Sequence, residues 1–323
     1  MDRPLCVTVI GGGTGTRTVL QALRDETRFD LTAVVSMADN GGSSGKLRKE
    51  LGVLPPGDLR QCLLALSMLP PELKAVLEYR FAKGTINGHP IGNLLIAAAQ
   101  EYCNNMEEAL CLMKLLLQVR GNVVPVTTTP THLCIEHGGT VTTGEIEIVH
   151  TTLAEPRRCS LTGDPHVGRS ALQAINRADV IIIGPGNLYA SVLPNFLVRG
   201  VRNAICTAPA RFVYLANLVT SPGHTDGWDA AKYLATIEEY SERYMDIVVV
   251  NDRELSPELL AHAPAGAAPV VIGTLREDQR VLCADLVDPT PLQQQKGDII
   301  ERNHLRHDPT KLRTLLTRLL FPS

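Results

Sequence analysis

The chain has 323 residues, 44% of them hydrophobic and 4% aromatic, and 31 basic residues against 34 acidic ones give a formal charge of -3. That length allows one large domain or two ordinary ones, with a core built on aliphatic packing. The charge balance argues against a general nucleic-acid binder, and no apolar run approaches the roughly 20 residues of a membrane helix.

The start, MDRPLCVTVI, enters a strand almost at once. It does not read as a signal peptide, so a cytoplasmic protein without a membrane segment is expected. The run LCVTVI at residues 5–10 ends in GGGTGT at 11–16. A short helix over 18–24 follows, with Val19, Leu20 and Leu23 on one face. A second strand, LTAVVSM at 31–37, ends in ADNGGSSG at 38–45. PPGD at 55–58 reads as a turn feeding a helix start, and LRQCLLALSML continues as an apolar-periodic helix. Three more helices follow over 70–81, 91–103 and 106–119.

From about residue 122 to 166 the texture changes. NVVPVTTTP, HLCIEHG, TVTTG and EIEIVHT are short, rich in β-branched residues and broken by Gly and Pro. They predict hairpins or a small mixed sheet. A helix over 167–178 then leads into DVIIIGPGN, a buried strand with a third glycine turn. LYASVLPNFLV predicts a helix shortened or kinked by Pro194. NAICT, IVVVN and PVVIG read as later strands, and HDPTKLRTLLTRLL as a capped C-terminal helix. No internal repeat is visible.

This alternation predicts an α/β fold: a single Rossmann-like domain over 1–323, a parallel sheet with helices on both faces, and a β-rich insertion at about 122–166. Ligands of such sheets lie beyond the carboxyl ends of the strands. The turns at 11, 41 and 184 all follow predicted strands, so they can share one rim. Turns of this kind expose backbone N–H groups and bring no bulk, which suits phosphate.

The eight cysteines form no CxxC pair and read as buried, reduced thiols. The nine histidines lack the spacing of a zinc site. In the first turn Gly11, Gly12, Gly13, Thr14 and Gly15 are candidate phosphate-binding residues. Thr16 stands where a GxGxxG fingerprint has its third glycine, which departs from a standard NAD site. In the second turn Asp39, Asn40, Gly41, Gly42, Ser43 and Ser44 are a dense polar set. It is not a Walker A loop, because Leu47 follows Lys46. Asp39 either holds a metal carried by a diphosphate or bonds the amides of its own turn. GHPIGNLL at 88–95 sets His89 and Asn93 at a helix entry, with His89 either a proton donor or a satisfied loop histidine. Gly184, Pro185 and Gly186 precede Asn187, which either caps the next helix or touches a phosphate. Asn217 opens a polar loop, ANLVTSPGHTDGW, that is a ligand cover or plain turn chemistry.

These motifs, in this order, resemble the YvcK/CofD family. The likeness runs from GGGTG through SMADNGGSSGKLRKELGVLPPGDLRQCLLALS, GHPIGNL, GPGNLYASVLPNFLV and NLVTSPGHTDG to RHDPTKL. Length and the PPGD block are closest to the bacterial YvcK branch, the gluconeogenesis factors. That branch is associated with growth on gluconeogenic carbon sources, with cell shape and with UDP-sugar binding. The CofD branch, 2-phospho-L-lactate transferase, moves a lactyl phosphate from a guanosine diphosphate donor to a deazaflavin with Mg2+. The resemblance implies a Rossmann-like fold with the nucleotide along the strand rim, between residues 11–15 and 184–187. Asp39 and Asn40 would face the phosphates, and Asn217 with its loop would help close the site. The family often has two aspartates where this chain has Asp39 and Asn40, and often serine at Asn187.

Three functions are then expected to compete. One is a regulator that binds a nucleotide diphosphate such as a UDP-sugar and acts through a conformational change, an unidentified protein partner or a homo-oligomer. The second is a transferase in which Asp39 holds Mg2+ on a GDP-type donor and His89 assists proton transfer. The third is an NAD-binding protein whose dinucleotide spans the two glycine loops.

Overall fold

Apolar side chains alternate between two faces along each central strand, and this dictates a sheet covered on both sides. Along the first strand Val7 and Val9 join one buried cluster and Ile10 the other. Farther along, Ile182, Val213 and Val249 face the first cluster, while Ile181, Ile183, Phe212, Tyr214, Val248 and Val250 face the second. The computed structural model describes residues 3–155, 157–290 and 304–321.

Its strands are β1 (Leu5–Gly11), β2 (Phe29–Val35), β3 (Asn122–Pro125), β4 (Leu133–His137), β5 (Thr140–Thr143), β6 (Arg157–Leu161), β7 (Val180–Ile183), β8 (Arg211–Leu215), β9 (Ile247–Asn251) and β10 (Val281–Ala284). Seven of them form one sheet in the order β10-β9-β8-β7-β1-β2-β3, every neighbouring pair parallel. Val7 lies beside Leu31 of β2 and Val9 beside Ile182 of β7. Counting only sheet strands, this is the doubly wound order whose direction reverses between β1 and β7. The helices Gly13–Leu23, Pro56–Leu66, Ile91–Cys103, Met106–Leu116 and Pro309–Leu320 cover one face; Arg169–Arg177, Leu193–Leu197, Val201–Thr207 and Ala230–Ser241 cover the other. A small antiparallel sheet, β5-β4-β6, makes the β-rich insertion.

Several elements differ from the sequence expectation. NVVP at residues 122–125 is β3 of the main sheet, not part of the small one. EIEIV forms the short helix Glu145–Val149, in which Ile148 alone is buried. NAICT belongs to the helix Val201–Thr207, because Val201, Ala204 and Ile205 are the buried positions, at helical spacing. PVVIG is no strand: Val270 is buried, Val271 is 59% exposed, and the segment makes an isolated bridge from Pro269 to Val219. Strands stand instead at β8 and β10. Residues 188–198 split as expected, into a π-helical turn Leu188–Val192 and the helix Leu193–Leu197, with Pro194 in its first turn. None of the eight cysteines is in a disulfide; Cys62 and Cys159 are buried, but Cys111, Cys206 and Cys283 are exposed. Among the described residues no helix is long and apolar enough to cross a membrane.

Candidate functional site

The carboxyl ends of β1 and β7, where the strand order reverses, flank the crevice in which sheets of this type bind ligands. Gly12 stands at the N-cap of the helix Gly13–Leu23 in extended backbone and supplies no side-chain cap, while the Asp58 carboxylate lies against this loop. The first-turn N–H groups and the positive end of the helix dipole therefore stand at this end of the sheet, beside the Asp58 carboxylate. Gly15 seats this loop on the next one. A Cβ there would lie 1.8 Å from the carbonyl oxygen of Pro185, so the loops after β1 and β7 touch backbone to backbone. Gly13 has φ +64°, a left-handed conformation that L side chains rarely adopt, but a Cβ there would meet nothing nearer than Asp58 at 3.7 Å.

The loop after β7 is tied by its own neighbours. Asn217 Nδ2 donates to the Gly186 carbonyl at 2.8 Å, and Asn217 Oδ1 accepts from the Gly186 N–H at 3.2 Å. Asn187 Oδ1 accepts from the Ala190 N–H at 3.1 Å, so it is a helix cap. Ser191 lies beneath, with its Cβ 3.5 Å from the Cβ positions of Gly12 and Gly186.

The loop after β2 closes one side. Asp39 Oδ1 accepts from the Gly41 N–H at 2.6 Å, and Arg48 Nη1 donates to the Asp39 carbonyl at 2.7 Å. Ser44 Oγ accepts from the Gly57 N–H at 3.1 Å, docking the PPGD turn against this loop. Ser43 Oγ lies 2.8 Å from His89 Nδ1 and accepts from Asn93 Nδ2 at 3.0 Å. Arg60 Nε donates to Asn93 Oδ1 at 2.8 Å, and all four residues are buried. Burial, then the charge of Lys46, pulls the His89 pKa below the ordinary histidine value. His89 thus holds the loop as a neutral ring rather than facing it as a free acid. His89→Ala is expected to lower the unfolding free energy by about 1–2 kcal/mol, as one buried polar contact is lost. Urea unfolding at neutral pH measures this, and an unchanged midpoint would contradict the assignment.

The structure therefore brings the residues 11–15, 39–44, 184–187 and 217 to one rim, with His89 and Asn93 behind Ser43. Asn40 is differently engaged: its Oδ1 accepts from the Ile146 N–H at 2.9 Å and its Nδ2 donates to Glu147 Oε2 at 3.1 Å. The insertion is latched to this side of the site through the Asn40 amide and through Arg48, whose Nη2 donates to the Thr131 carbonyl at 2.7 Å.

Two acids join the site without a sequence signal of their own. Asp58, read as a turn residue, places Oδ2 2.5 Å from where a Cβ on Gly12 would stand. Glu145 comes from the insertion, and its Oε2 is buried without a hydrogen-bond partner. Burial first, then the charge and hydrogen bond of Asp39, then the charge of Asp58, push the Glu145 carboxyl well above the usual range. Spacing cannot reveal this trio, since the members lie 19 and 87 residues apart in the chain. Among the described residues no three or more His, Cys, Asp or Glu side chains are grouped to hold a metal by themselves. Mg2+ commonly uses one or two carboxylates plus substrate phosphates, and Asp39 and Asp58 beside the glycine loop suit that division.

Beyond the β7 loop stands an aromatic wall. Trp228 packs edge-on to Tyr189 and Tyr233 at 6.4 and 5.5 Å between ring centres. The Arg157 guanidinium lies 5.7 Å from the Tyr189 ring and 5.8 Å from that of Trp228. Arg157 also donates to the Tyr189 hydroxyl at 3.2 Å and to the His224 carbonyl. His224 Nε2 meets the Ile148 carbonyl at 2.9 Å, so the loop after β8 and the insertion hold each other.

The family model described as 2-phospho-L-lactate transferase CofD matches residues 7–287. A gluconeogenesis factor of Halalkalibacterium halodurans is 40% identical over 273 residues, covering 82% of this chain and 84% of its own. The gluconeogenesis factor of Bacillus subtilis is 35% identical over 321 residues, covering 97% of this chain and 98% of its own. A crystal structure of a UPF0052 family member from Bacillus halodurans superposes with a TM-score of 0.87 at 35% identity, over 98% of this chain and 100% of that one. A match that begins inside β1 and runs past β10, with relatives spanning almost the whole chain, makes this protein a member of the YvcK/CofD family, and the relatives it aligns with are named gluconeogenesis factors.

Proposed function

We propose that this protein is a cytoplasmic regulator of the gluconeogenesis-factor type that binds a nucleoside diphosphate ligand, a UDP-sugar, at the β1/β7 crevice. The observation that carries this reading is the glycine-led start of the helix Gly13–Leu23 at the point where the strand order reverses, beside the glycine loops that follow β2 and β7. Such a place supplies backbone donors and a positive dipole end to a diphosphate. The sugar would then reach the insertion and the loop after β8, whose mutual contacts give binding a route to shape change and so to cell-shape control. His89, held against Ser43, supports binding over proton transfer.

One observation favours a second reading, a Mg2+-dependent transferase on a nucleotide-diphosphate donor. Asp39, Asp58 and Glu145 bring acidic groups toward the loop that would hold phosphate. Like charges there oppose a diphosphate unless a cation or a proton intervenes. Mg2+, if bound, would supply charge neutralisation between Asp39, Asp58 and the phosphates.

Thermal unfolding with UDP-GlcNAc, UDP, GDP and NAD, each with and without Mg2+, separates the two. A ligand at about 100 times its Kd should add roughly 2.7 kcal/mol. Stabilisation by UDP-GlcNAc without turnover supports the regulator. Mg2+-dependent consumption of a GDP-linked donor supports the transferase, and no response to any nucleotide rules out both.

A further inference from the structure

The amino ends of the strands carry a feature that the crevice does not use. A cavity of about 380 Å³ opens there, at the starts of β1 and β2 and just before β3. Its wall includes Arg3, Arg24, Arg120 and Arg177, against Asp30 as the one acid lining it. In a chain with a net charge of -3 this is a local reversal of sign. Two of the arginines are already engaged. Arg3 makes a two-pronged contact with Asp179 at 2.7 and 2.9 Å, and Arg24 Nε meets Asp25 at 3.1 Å. Arg120 and Arg177 make no ion pair with any described residue. Arg120 is also half-buried, and its backbone is fixed by the N–H bond to the Leu66 carbonyl at 2.9 Å. Its charge helps to hold the Asp25 carboxyl below its usual range, behind the larger effect of Arg24.

A concave wall carrying two guanidinium groups outside any ion pair suits an oxyanion, because each planar fork can donate two parallel hydrogen bonds. The volume is at the lower end of the range of about 300–1,000 Å³ for small-molecule pockets. Pro4 and Phe29 give part of the wall an apolar surface.

We propose that this cavity is a second ligand site, which takes a small phosphomonoester with its phosphate between Arg120 and Arg177 and its carbon chain against Pro4 and Phe29. It lies about 20 Å from the crevice, the length of a seven-residue strand, so it is independent of the nucleotide reading.

Calorimetric titration of the full chain with glycerol 3-phosphate, inorganic phosphate and glycerol tests this. The variants are Arg120→Gln/Arg177→Gln, Arg177→Gln alone and Gly13→Ala. Glycerol 3-phosphate should bind the unmodified protein and Gly13→Ala alike, and the double variant at least 10-fold more weakly. Inorganic phosphate should bind more weakly than the ester, and glycerol should not bind. Arg177→Gln alone, an exposed change that spares the fold, should show an intermediate loss if the double variant unfolds. No binding of the ester, binding that survives both arginine changes, or binding lost in Gly13→Ala would each overturn the proposal.

Discussion

Gly15→Ala is expected to destabilise the protein by about 3 kcal/mol or more and to remove nucleotide binding, while Gly13→Ala removes binding at a cost of about 1 kcal/mol. The difference rests on what each methyl group would meet. At Gly15 the methyl would stand 1.8 Å from the Pro185 carbonyl oxygen and 2.5 Å from its carbon. Both are backbone atoms, so no side chain can rotate aside, and the loops after β1 and β7 must separate. That separation would unseat Thr16 and Val19, which are fully buried beneath the loop. At Gly13 the methyl would make ordinary contacts with Asp58 Oδ1 at 3.7 Å and Ser191 Oγ at 3.8 Å, and the strain is the positive φ alone. A phosphate held by the amides of this loop would come close to the same position, so the added methyl is expected to obstruct it. Urea unfolding and a nucleotide thermal-shift titration measure the two effects. Equal stability of Gly15→Ala and the unmodified protein would contradict the packing, and undiminished binding by folded Gly13→Ala would contradict the ligand position.

Glu145→Gln is expected to raise stability at pH 8 by about 2 kcal/mol and to flatten its pH dependence. The carboxyl pKa is raised in the folded state by burial and by Asp39 and Asp58. A raised acid favours the folded, protonated form. Its contribution is complete below the unfolded value of 4.5 and is lost as pH rises through the raised folded value. Glutamine keeps the shape and removes that loss. The buried histidines tilt the opposite way: burial lowers His89 and His224, and lowers His307 to about 4, so their contribution fades as pH falls. The informative quantity is therefore the variant's unfolding free energy minus that of the unmodified protein, between pH 5 and pH 8. A difference that stays constant with pH would remove Glu145 from the acidic trio.

Most of the sheet was legible because its central strands are apolar, β-branched and ended by glycine. The runs that became β1, β2, β7 and β9 are buried almost throughout, and that burial is what the composition reported. β8 and β10 were not legible. RFVYL is five residues with a charged start, and VLCA is an edge strand whose residues are mostly half-exposed. EIEIV was misleading for a definite reason. Its alternation suits a strand, but the turn at Gly144 and the Asn40 grip on the Ile146 amide wind it into a helix. The three glycine turns predicted a shared rim correctly, since parallel strands all end on the same side. Two partners of those turns were hidden, since Asp58 looked like a turn residue and Glu145 reaches the rim only through tertiary folding; Asn217 was expected at the site, though not its paired bonds to Gly186.

The contact between Gly15 and Pro185 has a consequence for how this architecture diversifies. Where two peptide groups touch with nothing between them, the seam of the molecule tolerates no drift, and any side chain larger than hydrogen at position 15 would force the two loops apart. The small antiparallel sheet is held by side chains instead: Leu133, Ile135 and Cys159 pack into the second core cluster, and Asn40 and the loop around His224 tie the rest of the insertion. Novelty in what is recognised would therefore accumulate in the appended piece, leaving the seam untouched.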